Sequence, residues 1–148
     1  MHNGFEAFAR AVGWGTVAGA APYSVLFIIP LAAAGLGEGE IAGVAILFAY
    51  PLVLSGAMVV GSALLFGLPL TVLLSRTDRE NGGAYALAGL LLGALVPPAI
   101  IWLLAGEVRV AEGLFFALPG AFAGLVTGTS WGRWREALNR QGDSAPRE

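Results

Sequence analysis

Every formally charged side chain of this 148-residue chain stands outside four long uncharged stretches, residues 11–37, 41–75, 81–106 and 113–132. A charge at the centre of a bilayer costs at least about 2.5–3.5 kcal/mol on insertion scales, so charge-free apolar runs of about 20 residues are suited to crossing lipid as helices. Composition agrees: 57% of residues are hydrophobic, 12% are charged and the mean hydropathy is +0.76, against about 25% charged residues in a soluble domain. The reading is an all-α, polytopic membrane protein. Its membrane domain covers residues 1–139, with spans at about 11–35, 41–66, 83–105 and 111–131 and a polar, disordered tail at 140–148.

Short connections set the topology. Leu36 to Glu40, Arg76 to Gly82 and Glu107 to Glu112 are too brief to let sequential helices do anything but pair antiparallel, giving an up-down-up-down four-helix bundle. Such a bundle puts Arg10, Arg76, Arg79, Arg133, Arg135, Arg140 and Arg147 on one side and Arg109 alone on the other. The positive-inside rule then places both termini in the cytoplasm. All eight basic residues are Arg, which fits a GC-rich bacterial genome and hence a bacterial inner membrane. Ala32, Ala33 and Ala34 resemble a signal-peptide cleavage site, but the run is long enough to span and Glu6 offsets Arg10, so an uncleaved first helix is expected.

The second run is too long for one straight crossing, since 35 residues rise roughly 52 Å against a core of about 30 Å. Gly67 and Pro69 mark the expected break, with Leu70 to Ser75 lying near the interface. A five-span alternative folds the run into a hairpin near Ser55 and Gly56, but each half is then short for a crossing.

Two patterns within the spans could carry function. Gly120, Gly124, Gly128 and Gly132 repeat every fourth residue, joined by Gly15 and Gly19 in the first span and Gly89 and Gly93 in the third. Small residues in register let helix backbones approach, either inside the bundle or between copies. Prolines break every span near its middle: Pro22, Pro51, Pro97 with Pro98, and Pro119. Each strands a carbonyl, and together with Tyr23, Ser24, Tyr50 and Ser55 they form a candidate weakly polar layer at mid-membrane. The alternative is that they only kink the helices for packing. A faint repeat at an offset of 68 residues pairs Pro30 with Pro98, Phe48-Ala49 with Phe116-Ala117, Pro51 with Pro119 and Gly56 with Gly124, and compositional bias alone can produce such matches.

Arg10, Trp14, Trp131, Arg133, Trp134 and Arg135 form the candidate interface anchors. Glu38, Glu40, Glu107 and Glu112 read as solvated loop carboxylates without the spacing of a hard-cation site. His2 stands alone and cysteine is absent, so neither a metal set nor a thiol nucleophile can be assembled. No phosphate-binding loop, nucleophile elbow or paired carboxylates occur, and no cofactor or nucleic-acid partner is implied. The chain is not read as an enzyme.

Phe66-Gly67-Leu68-Pro69-Leu70 and the run Tyr85-Ala86-Leu87-Ala88-Gly89-Leu90-Leu91-Leu92-Gly93-Ala94, flanking an Arg-bearing turn, resemble stretches of small uncharacterised four-helix inner-membrane proteins of alphaproteobacteria. The resemblance covers the middle third of the chain and implies a layout, with no site residues to carry over. Two functions are compatible with these features. One is a structural or accessory role, through helix packing with itself or with a larger membrane partner. The other is a small permease or channel-like protein for a neutral or apolar solute.

Overall fold

The computed structural model describes residues 4–33, 41–76, 81–107 and 109–143. They are helical throughout apart from short connections: α1 (Gly4–Tyr23), a π-helical turn (Ser24–Ile28), α2 (Ile29–Ala33), α3 (Ile41–Ser62), a second π-turn (Ala63–Gly67), α4 (Leu68–Arg76), α5 (Gly82–Ala105) and α6 (Val110–Asp143). The stretches Gly4–Leu31, Ala45–Arg76, Gly82–Ala105 and Val110–Gln141 are long and apolar enough to cross a membrane.

The surface is compatible with lipid. Among the described residues no polar or charged one is fully buried, while Leu104 is 82% exposed, Leu103 76% and Leu65 71%. A soluble monomer rarely shows contiguous apolar surface on this scale. The buried apolar residues are few, Ala11, Ala20, Ile28, Val59, Tyr85 and Ala123 among the described residues.

Chain order and packing order differ. α6 packs most extensively on α5 and next on α1, α1 packs in turn on α3, and α3 barely touches α5 or α6. The helices thus run α3, α1, α6, α5 in packing order, and α4 reaches α6 through the Trp131–Thr71 hydrogen bond.

Both π-turns have the same local cause. Each ends two residues before a proline, Pro30 or Pro69, and in each the residue before the proline donates its N–H five residues back, Ile29 to the Ser24 carbonyl and Leu68 to the Ala63 carbonyl. A proline ring collides with the carbonyl four residues earlier, and widening the preceding turn by one residue relieves that contact while keeping the chain helical. At Gly67 and Pro69, where the sequence places the break of the second run, the helix is interrupted only by the π-turn: α3, that turn and α4 stay helical in succession to Arg76. At 32 residues, Ala45–Arg76 rises about 48 Å, so in a bilayer it would have to tilt or project beyond the hydrocarbon.

Other boundaries also move outward. α1 begins at Gly4, seven residues before the expected start, and the exposed Arg10–Glu6 ion pair one turn apart, at 3.1 Å, supports that first stretch. Arg140 to Asp143, assigned by sequence to the disordered tail, belong to α6, where Glu136 and Arg140 pair at the same spacing. Residues 144–148 and the 34–40 connection lie outside the described residues. Asn81 caps α5, its side-chain oxygen accepting from the Ala84 N–H at 2.7 Å. Gly106 ends that helix in the left-handed conformation at φ 78°, which glycine adopts without a Cβ clash.

Candidate functional site

α5 and α6 meet backbone to backbone. A Cβ placed on Gly124 would fall 2.7 Å from the carbonyl carbon of Gly89, one on Gly128 2.9 Å from that of Tyr85, and one on Gly132 2.9 Å from the Cα of Gly82. The contacts descend α6 as they ascend α5, so the four glycines of α6 form one antiparallel seam. At such separations the gain is dispersion and weak Cα–H···O contact, the terms left to helices in a solvent as apolar as themselves.

The residues just before these glycines form a second face. Pro119, Ala123 and Thr127 meet α1, where a Cβ on Gly19 would sit 3.0 Å from that of Ala123 and one on Gly15 3.1 Å from the Ala123 carbonyl oxygen. Thr127 turns its hydroxyl onto Gly15, and its Oγ1 is buried without a hydrogen-bond partner. α6 thus presents two adjacent small-residue ridges, one taken by α5 and the other by α1. The sequence signal for the second ridge was the small residue preceding most of those glycines, which reasoning from the glycines alone missed.

The second span is tied on by polar contacts. Ser55 donates to the Thr16 carbonyl at 3.0 Å, linking α3 to α1. Trp131 donates through Nε1 to Thr71 Oγ1 at 3.2 Å, and Thr71 itself donates to the Gly67 carbonyl, an acceptor within the second π-turn. Phe8 meets Trp131 edge-on at 6.1 Å. At the other end Tyr23 donates to the Phe115 carbonyl at 3.2 Å and the two rings lie 4.9 Å apart.

Because α3 and α4 touch the α5–α6 pair so little, the four spans leave a partly open cavity of about 160 Å³ between them. Pro51, Ser55, Pro97, Pro119 and Tyr23 line it, joined by the glycines of the α5–α6 seam and by Thr127. No charged residue lines it. A cavity of this size and polarity suits a compact apolar molecule and offers little to an ion or a water cluster.

The candidate mid-membrane layer is accordingly divided. Pro22, Ser24, Tyr50 and Pro98 are not among the lining residues. Tyr50 is 70% exposed on the outer surface, because neighbours on a helix lie about 100° apart and Pro51 takes the inward direction. Ser24 turns its hydroxyl back to the Ala20 carbonyl at 3.1 Å.

The interface anchors divide in the same way. Arg10, Trp14, Arg133 and Trp134 border a groove between α1 and α6. Trp131 faces the central cavity instead, and Arg135 lies off the groove. The halves that the 68-residue offset would pair pack differently, since Gly124 abuts the Gly89 backbone whereas Gly56 has only the Thr16 side chain in ordinary contact. Among the described residues no group of three or more His, Cys, Asp or Glu could hold a metal ion.

Fold and site together define a class: a small helical bundle with four spans suited to a membrane, sealed by a glycine seam on one side and left open around an apolar cavity on the other. Comparison with protein-family models, with curated proteins and with solved structures finds no match.

Proposed function

We propose that this is an integral protein of a bacterial inner membrane, both termini cytoplasmic, that holds or passes a small neutral or apolar molecule in the cavity among its spans. The cavity carries the reading. Prolines from three spans and the Ser55 and Tyr23 side chains converge on it. The seam glycines that could have joined two copies are occupied within the chain, which weighs against self-association through that face.

The test is binding of a small apolar probe. In mild detergent, benzene or xenon should raise the unfolding temperature of the wild type, and Met58→Trp, which fills the cavity from α3, should abolish the increase. An equal rise in both proteins would rule the cavity out as the binding place.

A structural or accessory role beside a larger membrane protein is the second reading, favoured by the second span. Leu64, Leu65, Phe66, Leu68, Val72 and Leu73 on it are exposed, a continuous apolar surface that a partner helix could cover as readily as lipid. Crosslinking in native membranes that recovered only monomer would count against it.

A further inference from the structure

Arg10 and Trp14 on α1, and Arg133 and Trp134 on α6, reach one groove from two antiparallel helices. Its remaining lining includes Leu125 and Ser130. The groove is graded along the helix axes. Arg10 and Arg133 lie towards one end of the bundle, whereas Trp14 is about 6 Å deeper along α1 and Leu125 about 12 Å deeper along α6. Trp134 closes the outer end, its ring 3.2 Å from where a Cβ on Gly4 would stand. Arg133 is exposed and has no ion-pair partner among the described residues, and Arg10 shares its guanidinium with Glu6.

Two guanidiniums at the mouth match a phosphodiester, and an indole with an aliphatic floor below matches the first segment of an acyl chain. From this charge and polarity gradient we infer that the α1–α6 groove is a binding site for an anionic phospholipid, headgroup phosphate between Arg10 and Arg133 and acyl chain along Trp14 and Leu125. The occupant is a lipid rather than a soluble anion because, beyond Thr129 and Ser130, the same groove runs on from its charged end to Trp14, Val126 and Leu125. This is more than interfacial anchoring, which asks only for the right depth and not for two helices to present their arginines together.

Native mass spectrometry of the delipidated full chain, titrated with phosphatidylglycerol or phosphatidylcholine, tests the assignment. One phosphatidylglycerol should be retained in preference to phosphatidylcholine. Arg10→Gln with Arg133→Gln should weaken that binding by about tenfold or more, while Arg140→Gln, outside the groove, should leave it unchanged. Trp14→Ala should weaken both lipids, and millimolar inorganic phosphate should not compete. Equal retention of the two lipids, wild-type binding by the double variant, or displacement by inorganic phosphate would overturn the proposal. All these substitutions are at exposed positions, so loss of fold does not confound them.

Discussion

Gly93 and Gly120 face each other so closely that a Cβ on the first would lie 2.7 Å from the carbonyl carbon of the second, and one on the second 3.1 Å from that of the first. The obstacle is backbone in both directions, which cannot swing aside. Gly93→Ala or Gly120→Ala should therefore push α5 and α6 apart and cost about 1–3 kcal/mol. Gly13→Ala and Gly61→Ala meet nothing within 4 Å and should be neutral or stabilising by up to about 1 kcal/mol, the helix-propensity difference. Unfolding midpoints in detergent decide the matter, and equal effects from the two pairs would show the seam to be incidental.

Ser55 holds the second span to the first through the Thr16 carbonyl. Ser55→Ala should loosen that span by about 0.6–1.7 kcal/mol, the range for interhelical hydrogen bonds in membranes. Faster hydrogen exchange confined to α3 and α4 would be the sign. Unchanged exchange would mean that apolar contact alone holds the span.

Pro69 should be what keeps the Ala63–Gly67 turn wide. With Pro69→Ala the turn can close to α-helix, rotating the chain beyond it by about one residue's worth, roughly 100°. Thr71 would then leave the Trp131 indole, to which it is now bonded at 3.2 Å. Trp131 emission, read in a chain whose other three tryptophans are Phe, should change. Identical emission would free the proline of that role.

The proposed orientation can be tested cleanly because the chain has no cysteine. A membrane-impermeant maleimide should label Glu107→Cys in intact spheroplasts, and Arg140→Cys only after the membrane is opened. The reverse pattern would invert the topology.

Much of the architecture was legible because its causes are local. The absence of charge from 41–75 and 81–106 depends on the residues there and nothing else, and Asn81 and Gly106 end α5 by their own chemistry. The π-turns were also locally encoded, through Pro30 and Pro69, but an apolar run cannot reveal whether a proline stops a helix or only widens one turn. The partners of each glycine were not legible. Gly15 and Gly89 look alike in sequence, yet one meets the Thr127 hydroxyl and the other the Gly124 backbone, a choice made by the relative rotation of whole helices. The outward turn of Tyr50 was not legible for the same reason: nothing near Pro51 says which of the two faces inward.

The position of α6 between α5 and α1 bears on how the protein is made. Its neighbour α5 is already beside it when it leaves the ribosome, separated by a short turn. α1 must wait, because its largest contact surface lies on the final helix to be synthesised. Until then the first two spans have only each other, joined by Ser55 and a few side chains. On this packing order the N-terminal half would enter a bilayer as a pair, to be completed as a bundle when the last helix arrives.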